Sequence, residues 1–314
     1  MLCVLDNCTD PYRNLAAEEY LLDCCKEPLF RLWRNSDSVI IGRHQNAYAE
    51  TDIEFIRRNR IAVVRRMTGG GAVFHDLGNI NWSFFNLDSG KAVDIVISAL
   101  RKMGLNAASS GRNDILLGGC KISGTAALKS NGRSLEHGTL LFKSSIEKLS
   151  GALKPRPEKF EGKAVDSVRS RVTNICEFTP LSIEDFFSSF FEAVSQGAKP
   201  FSYSEDDLKK IEQLKQEKYA TDEWNFGRNP DCTFSRVRKF PSGLMESYVT
   251  INKGRISRLE IFGDYFSDIP TAEFCRIMEG CPHTPEKAID RLRSVAVDEF
   301  FGSISSDELL ELLF

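Results

Sequence analysis

The chain has 314 residues, with 41 Lys or Arg and 44 Asp or Glu, so its formal net charge at pH 7 is −3. Its 42% hydrophobic and 27% charged residues are typical of a globular protein of one or two domains, which excludes wholesale disorder. The near-neutral charge argues against a nucleic-acid partner, and no apolar run reaches the roughly 18 residues of a membrane span.

Cysteine usage and the start of the chain bear on the cellular compartment. The nine cysteines are an odd number without the spacing of a disulfide framework or a zinc site. Residues 1–20 show neither a signal-peptide pattern nor the Arg-rich, acid-poor character of a transit peptide. The sequence therefore predicts a cytoplasmic protein with reduced cysteines.

The first third of the chain alternates between helical and strand-like periods. Hydrophobic residues at helical spacing predict helices over 14–25 and 93–102. Thr51-x-x-Glu54 predicts a capping box at the start of a short helix, and Gly69-Gly70-Gly71 interrupts the pattern downstream. Alternating or β-branched residues predict strands over 29–33, 38–41, 61–66 and 80–85.

Two hairpin signals follow each other in the middle of the chain. Gly118-Gly119 separates strand-like residues 115–117 from 120–123, and Asn131-Gly132 separates 125–128 from 139–142. Both pairs favour the positive φ angles of primed hairpin turns. The sequence therefore predicts an α+β fold, with a large domain whose mixed, mainly antiparallel sheet is flanked by helices, rather than a doubly wound sheet.

The last part of the chain has its own pattern. Residues 154–174, rich in Pro, Lys and Arg, predict a mobile loop, and Ser182 is a candidate helix cap. Strands over 245–251 and 256–262 and three later helices are predicted after residue 232. We expect a large domain over 1–232 and a small α/β accessory domain over 233–314.

The most informative motif is Arg65-Arg66-x-x-Gly69-Gly70-Gly71, which continues into Ala72-Val73-Phe74. Glycines lack a Cβ, so backbone N–H groups can approach an anion closely, and the arginines add charge-assisted donors. The motif predicts a phosphate-binding loop, although it is neither a P-loop nor a G-x-G-x-x-G sequence. A tight turn with exposed arginines is the alternative that the residues alone leave open.

A second segment carries charged residues within predicted strands. Lys121 follows the Gly118-Gly119 turn, where its ammonium could bind a phosphate or a carboxylate, or could simply protect an edge strand. Asn113 and Asp114 supply the oxygen ligands that Mg²⁺ prefers. These residues alone predict a phosphorylated ligand, such as a nucleotide, and no more.

Several motifs occur in order along nearly the whole chain. They are Arg65-Arg66-x-x-Gly69-Gly70-Gly71-Ala72-Val73-Phe74-His75-Asp76-x-Gly78-Asn79, Arg112-Asn113-Asp114, Lys121-Ile122-Ser123-Gly124, His137-Gly138-Thr139-Leu140-Leu141, Val168-Arg169-Ser170-Arg171-Val172-Thr173-Asn174 and Trp224-Asn225-Phe226-Gly227. Together they resemble the lipoate–protein ligase A family. That resemblance implies a catalytic domain over 1–232 followed by the accessory domain.

The resemblance also implies a reaction and its participants. Members activate free lipoate with ATP to lipoyl-AMP, release pyrophosphate, and transfer the lipoyl group to a lysine of an acceptor. The implied acceptors are the lipoyl domains of 2-oxoacid dehydrogenase E2 subunits and the glycine-cleavage H protein. No nucleic acid or membrane is expected to take part.

Site roles carried over from the family fall on several positions. The implied ATP-binding residues are Arg66, Gly71, Ala72, Val73, Phe74 and Lys121. The implied lipoate contacts are Lys121, Gly70 and His137, with Asp114 as a ligand of Mg²⁺. Lys121 would also be the catalytic residue, because an ammonium between the carboxylate and the α-phosphate orients two anions that repel each other.

Three alternatives remain open from the sequence. A lipoyltransferase that uses preformed lipoyl-AMP but not ATP would keep nearly the same motifs. A cysteine-dependent octanoyl or lipoyl transferase would use Cys120 as its nucleophile. A binding module without turnover would keep the anion-binding segments but would label no acceptor.

Overall fold

The computed structural model describes residues 1–88, 90–110, 114–153, 172–227, 232–240, 243–263, 269–302 and 304–314. The chain separates into two compact units, one formed by residues 1–43 and 50–220 and the other by residues 44–49 and 221–314. The predicted loop over 154–174 lies outside the described residues as far as residue 171.

Strands and helices alternate along the described residues. The strands are β1 (Leu2–Leu5), β2 (Leu29–Arg34), β3 (Ser38–Ile41), β4 (Ala62–Arg65), β5 (Val73–His75), β6 (Asn79–Phe85), β7 (Ala108–Ser109), β8 (Asp114–Leu117), β9 (Cys120–Ser130), β10 (Arg133–Leu141), β11 (Lys199–Pro200), β12 (Cys232–Phe240), β13 (Gly243–Asn252) and β14 (Arg255–Gly263). The α-helices are α1 (Pro11–Cys24), α2 (Ala47–Glu50), α3 (Ile53–Arg58), α4 (Lys91–Lys102), α5 (Ile146–Ala152), α6 (Ile183–Ser195), α7 (Glu205–Leu214), α8 (Asp222–Asn225), α9 (Thr271–Met278), α10 (Pro285–Arg293), α11 (Val297–Phe301) and α12 (Ser306–Leu313).

An eight-stranded sheet forms the centre of the first unit, in the order β11-β1-β2-β6-β10-β9-β8-β7. β1 pairs in parallel with β2 and β11, and the other neighbouring strands are antiparallel. The predicted α+β class with a mixed, mainly antiparallel sheet is therefore confirmed. The meander β7-β8-β9-β10 is the part that the two hairpin signals predicted.

Local sequence explains the turns of this sheet. Asn131 and Gly132 have φ angles of +50° and +75°, and Gly118 and Gly119 have +58° and +83°, as primed hairpin turns require. The strands predicted over 120–123 and 125–128 form one continuous strand, β9. Helix α3 differs from the capping prediction, because Asp52 rather than Thr51 caps it, accepting from the backbone N–H of Phe55.

The two faces of the sheet differ in chemistry. Trp82 and Phe84 of β6 belong to a buried cluster with helices α4 and α6, and the ring of Phe186 in α6 is tilted against that of Phe142 with 4.7 Å between the centroids. Burial of such side chains stabilises the fold by about 1.5–3 kcal/mol each. Because side chains alternate along a strand, Asn81 and Ser83 point to the opposite face, where α1 lies.

A smaller three-stranded sheet, β4-β3-β5, completes the first unit. β3 runs parallel to β4 and antiparallel to β5, so residues 66–72 connect the two outer strands of this sheet. The glycine-rich motif is therefore a loop held at both ends by strands.

The second unit contains the antiparallel sheet β12-β13-β14, packed with helices that follow it. Phe274 of α9 contacts Phe301 of α11, and the Ser247 hydroxyl donates to the Leu312 carbonyl oxygen at 2.5 Å. Residues 44–49 also belong to this unit, where Tyr48 packs on His283 and Phe314. Among the helices of the described ranges, none is long and apolar enough to cross a membrane.

Candidate active site

A cavity of about 370 Å³ lies in the first unit, on the polar face of β6. Its walls come from helix α1, from the glycine loop between β4 and β5, and from β2, β6, β8, β9 and β10. Of the residues predicted for the site, the cavity is lined by Arg66, Gly70, Gly71, Ala72, Val73, Asp114, Lys121 and His137. Residues from distant parts of the sequence thus meet at one place.

Arg66 holds the glycine loop in shape. Its Nη2 donates to the carbonyl oxygens of Gly69 and Gly71 at 2.7 and 2.8 Å, and its Nη1 donates to that of Ile40 at 3.0 Å. Carbonyl groups turned toward the guanidinium cannot face the cavity, which favours presentation of the loop N–H groups to an anion. Gly70 adopts a φ of +93°, a conformation in which glycine is strongly favoured.

Arg66 is almost fully buried, and its charge persists despite that burial. Desolvation lowers the pKa of Arg66 to about 10, while the carboxylate of Glu18 acts in the opposite direction. A pKa of about 10 leaves the guanidinium protonated at neutral pH. The loop is therefore backed by a positive charge in a poorly solvated position, which attracts an anionic ligand.

Lys121 and Asp114, which also line the cavity, form an ion pair. The Lys121 Nζ lies 2.7 Å from Asp114 Oδ1, and the two side chains are 38% and 37% exposed. They stand on the adjacent strands β9 and β8, where Leu116 pairs with Lys121 beside a register shift. The ammonium therefore lines the cavity at a position that solvent reaches.

A chain of hydrogen bonds crosses the buried part of the cavity wall. His137 Nδ1 lies 2.9 Å from Glu18 Oε1, and His137 Nε2 lies 2.8 Å from Thr68 Oγ1. Arg66 Nε donates to the same Thr68 oxygen at 3.0 Å. Because Thr68 accepts from Arg66, its own hydroxyl proton can be donated to His137 Nε2, so each bond in the chain has a proton.

Glu18 receives further support at the end of this chain. The Ser83 hydroxyl donates to Glu18 Oε1 at 2.6 Å, and Trp33 Nε1 donates to Ser83 at 2.8 Å. Burial acts to raise the pKa of Glu18, but His137 and the hydrogen bonds from His137 and Ser83 outweigh it and hold that pKa below its usual value. The buried carboxylate is therefore ionised and fully partnered at neutral pH.

Two buried donors of the cavity wall have no partner in the described part of the chain. The Asn35 amide nitrogen lies 3.1 Å from His75 Nδ1, which therefore accepts and leaves the ring proton on Nε2. His75 Nε2 and Asn81 Nδ2 have no hydrogen-bond partner, although the side chains are only 4% and 1% exposed. Burial, with Arg66 and His137 nearby, lowers the pKa of His75 to about 3, so the ring is neutral.

Not every residue singled out in the sequence lies on the cavity wall. Phe74 is buried on β5 and pairs with Val39, and its side chain is not among those that line the cavity. Cys120 precedes Lys121 on β9 but is likewise absent from the lining. The positions 112, 113, 169 and 171 lie outside the described residues.

Sequence reasoning missed Glu18, Trp33 and Asn81 as cavity residues. A partial signal for Glu18 existed, because it follows Ala17 directly and lies three residues before Leu21, both on the predicted hydrophobic face and both buried in the structure. Asn81 lies on the polar side of a strand predicted to be half-buried, and that side faces the cavity rather than bulk solvent.

The combined geometry supports a particular class of chemistry. The glycine loop and the Lys121 ammonium line one cavity, together with buried hydrogen-bonded and apolar groups. Such a site can hold two anionic substrates together and stabilise charge as a phosphoryl or acyl group moves between them.

Comparison with known proteins gives two family matches. Residues 10–195 match the lipoyl protein ligase A/B catalytic domain, and residues 229–313 match the bacterial lipoate protein ligase C-terminus. Lipoate–protein ligase 1 of Staphylococcus aureus is 37% identical over 321 residues, which span 98% of each chain.

Two solved structures are similar to the chain in fold. A bipartite lipoate protein ligase from Thermoplasma acidophilum, described with its E2 lipoyl domain, has a TM-score of 0.65 and 30% identity over 74% of this chain and 98% of its own. A lipoate–protein ligase A bound with ATP has a TM-score of 0.63 and 29% identity over 72% and 98% of the two chains.

Proposed function

Because the chain belongs to the lipoate–protein ligase A family, we propose that its cavity binds ATP and free lipoate and joins them as lipoyl-AMP. The enzyme then transfers the lipoyl group to a lysine of a lipoyl domain. The observation that carries this proposal is that the glycine loop and Lys121 line one cavity, whose wall also contains the buried side chains of His137 and Asn81. The relatives named above, one of them bound with ATP, support it.

The phosphates of ATP are bound by the glycine loop. Those backbone N–H groups over 71–74 that do not point toward β3 bind the phosphate oxygens, and the buried charge of Arg66 adds to the attraction. The side chain of Phe74 takes no part in this contact and instead fixes the strand that follows the loop. Most N–H groups of Arg66 already bond to protein atoms, so it acts mainly by shaping the loop.

Lys121 is the catalytic residue of the proposal. A carboxylate oxygen of lipoate attacks the α-phosphorus of ATP, and the bond from that phosphorus to the pyrophosphate oxygen breaks. The Lys121 ammonium lies between the two anions and stabilises the charge on the α-phosphoryl oxygens. In the second step the acceptor amine attacks the acyl carbon, and the same ammonium stabilises the AMP that leaves.

The lipoyl chain occupies the buried part of the cavity. His137 lines that part and is held in place by Glu18 and Thr68, whereas Gly70 would contact lipoate from the exposed glycine loop. A fixed, water-poor wall protects the mixed anhydride of lipoyl-AMP from hydrolysis.

Mg²⁺ is an expected companion of ATP, and the described residues are compatible with it. Asp114 uses one carboxylate oxygen for Lys121, and a carboxylate has a second oxygen to offer. One or two carboxylates with substrate phosphates form a common Mg²⁺ site, and the ion would neutralise charge on the phosphates. No group of three metal-ligating side chains occurs within the described ranges, so ATP itself would supply most of the coordination.

The acceptors of the proposal are E2 lipoyl domains and the glycine-cleavage H protein. The Thermoplasma relative, described with its E2 lipoyl domain, supports the first of these. A cytoplasmic location, with the cysteines reduced, is also part of the proposal. The division into a catalytic domain over 1–232 and an accessory domain over 233–314 remains part of the proposal.

Two rival activities differ in what they require. A cysteine-dependent transferase needs a nucleophile in the cavity, and Cys120 does not line it, whereas Lys121 does. A lipoyltransferase without adenylation activity would have the same cavity. Only an assay of adenylate formation distinguishes it from the full ligase.

The test is lipoate-dependent exchange of labelled pyrophosphate into ATP by the full chain, followed by labelling of an E2 lipoyl domain. We expect exchange that requires lipoate, and labelling that disappears when the acceptor lysine is replaced by arginine. Labelling from synthetic lipoyl-AMP without any exchange would identify the lipoyltransferase. Labelling from an acyl carrier protein without ATP would identify the cysteine-dependent enzyme.

A further inference from the structure

We propose that Asn174, which does not line the cavity, is a positioning residue for Lys121 and acts through the short segment Val172–Asn174. This inference rests on the proposed function and adds a residue to the support of its catalytic lysine. It starts from two backbone contacts. Val172 forms an isolated parallel bridge with Lys121, and the Thr173 backbone N–H donates to the Lys121 carbonyl oxygen at 3.1 Å.

The backbone of β9 is irregular at Lys121. Leu116 of β8 pairs with Lys121, but Ile115 pairs with Ser123, so Ile122 is an extra residue in a β-bulge. A bulge interrupts the local ladder of hydrogen bonds. Lys121 therefore lines the cavity from a stretch of strand that β8 alone holds less firmly than a regular ladder would.

The segment Val172–Asn174 supplies a neighbour on the other side of this stretch. The ladder between β10 and β9 runs from Ser130 to Thr125, where it ends. Four residues farther along β9, Lys121 has β8 on one side and Val172 on the other. The hydrogen bond from Thr173 thus restrains the backbone from which the lysine side chain extends, while Asp114 pairs with the ammonium at its far end.

Asn174 ties this segment to the rest of the first unit. Its Oδ1 accepts from the Ser144 backbone N–H at 2.9 Å, and its Nδ2 donates to the Ser144 carbonyl oxygen at 3.1 Å. Two residues exchange bonds in this reciprocal way within an antiparallel sheet, and here a side-chain amide takes the place of one of them. Directly after Asn174, Ile175 is buried in the cluster of α4 and α6, so the anchor is firm.

A displaced Lys121 would affect the transition state more than the binding of either substrate. The ammonium must lie between two anions while charge moves from one to the other, and a misplacement of about 1 Å can reduce a rate by about 100-fold. ATP and lipoate also contact the glycine loop and His137 in the proposed complex, so their binding depends less on Lys121. Loss of Asn174 should therefore lower kcat more than it raises KM.

The experiment measures two activities of the full chain. They are lipoate-dependent pyrophosphate exchange and lipoyl transfer from synthetic lipoyl-AMP to an E2 lipoyl domain. Asn174→Ala removes both bonds to Ser144, so kcat should fall about tenfold in each activity, with the KM values for ATP and lipoate changing less than about threefold. An unchanged kcat, or a loss confined to KM, would overturn the inference.

A second arm places Asn174→Ala in the Lys121→Ala background. If Asn174 acts through Lys121, it should lower the residual exchange there by less than about twofold, because the lysine that it positions is already absent. A further loss of about tenfold in the double variant would overturn the inference, since Asn174 would then act independently of Lys121.

Asn86→Ala is the matched control in the same unit. Asn86 Oδ1 accepts from the Ser134 backbone N–H at 3.3 Å and its Nδ2 donates to the Cys25 carbonyl oxygen at 2.9 Å, away from the cavity lining. Its φ of +56° disfavours alanine, so this variant should lose at least as much stability as Asn174→Ala while keeping the wild-type kcat.

An equal loss of kcat in both asparagine variants would assign the effect to stability and overturn the positioning role. A wild type with neither activity would give a different result, because it would contradict the proposed function and the role of Lys121 together.

Discussion

The cavity has an open end and a closed end that are built on different principles. At the open end, Lys121 and Asp114 form a half-exposed ion pair whose charges can exchange partners when a ligand arrives. At the closed end, Glu18, His137 and Thr68 are buried and linked by hydrogen bonds before any ligand binds. Chemistry needs charges that can reorganise around the substrate, whereas selection needs a wall that does not move.

The two ends of the cavity also differ in how much their interactions contribute to folding stability. A half-exposed ion pair contributes about 0–1 kcal/mol to folding, since water screens it. A buried carboxylate must be partnered, because leaving its hydrogen-bond donors unsatisfied costs about 1–3 kcal/mol for each group. Changes at the open end should therefore alter rates and leave stability almost unchanged, and changes at the closed end should alter stability.

Lys121→Ala should produce the largest effect. We expect lipoate-dependent pyrophosphate exchange to fall by about a hundredfold or more, because an ammonium that stabilises developing charge is removed. The midpoint of urea unfolding should stay within the error of the measurement. The variant would then lose activity without losing stability, as expected for a half-exposed ion pair.

Lys148→Ala is a matched control for this change. Lys148 is a similarly exposed lysine that pairs with Asp37 at 2.5 Å in the same unit, away from the cavity lining. Its removal should leave exchange at the wild-type rate. A comparable loss of exchange in both variants would show that the Lys121 effect comes from surface charge and not from its place in the cavity.

Glu18→Ala tests the closed end and should have the next largest effect, on stability. The change leaves the Ser83 hydroxyl and His137 Nδ1 without their acceptor, so unfolding free energy should fall by about 2–4 kcal/mol. Glu54→Ala, which removes a glutamate from an exposed pair with Arg58, should cost less than about 1 kcal/mol. Urea denaturation measures both; equal costs would contradict the buried chain.

The pH dependence of this effect has a definite sign. The folded-state pKa of Glu18 lies below its usual value of about 4.5, so the unfolded chain takes up the proton first as the pH falls. The stabilisation by ionised Glu18 is complete above that value and is lost as the pH falls through the lowered folded pKa. The stability difference between wild type and Glu18→Gln should therefore shrink below about pH 4.5.

Much of the fold can be predicted from local sequence signals, and so can the residues at the open end of the cavity. The turns at 118–119 and 131–132 fix the meander β8-β9-β10, and that meander places Lys121 beside Asp114. The glycine loop is also visible in the sequence, although the residues alone leave a tight turn open as its alternative. Residues that carry charge or backbone freedom are conspicuous in a sequence even when their partners are unknown.

The closed end is harder to predict because its function depends on pairing across long separations. Glu18 and His137 are 119 residues apart, and neither spacing nor composition indicates that they meet. Asn81 resembles the solvent side of an ordinary strand until the fold shows that the cavity covers it. The inclusion of residues 44–49 in the second unit escapes sequence reasoning for the same reason.

Gly70→Ala should have the smallest effect, at the loop that connects the two ends. Its φ of +93° disfavours alanine, and the added Cβ would lie 2.9 Å from Arg66 Nη2, which is held by the carbonyl oxygens of Gly69 and Gly71. We expect a loss of about 1–2 kcal/mol in stability and a rise in the KM for ATP of a few fold.

Gly71→Ala is the control for Gly70→Ala, because it adds the same methyl group to the loop without straining the backbone. A Cβ at Gly71 meets no atom within 4 Å and its φ is not in the left-handed region, so its stability should match that of the wild type. If both variants raise the KM for ATP equally, the ligand itself approaches both glycines, and the loop is a contact surface rather than a shaped support. If only Gly70→Ala does so, Arg66 transmits the disturbance, because it bonds to the loop carbonyls on either side of that residue. The buried chain through Thr68 would then couple the two ends of the cavity through Arg66, since Arg66 Nε donates to Thr68 at the closed end.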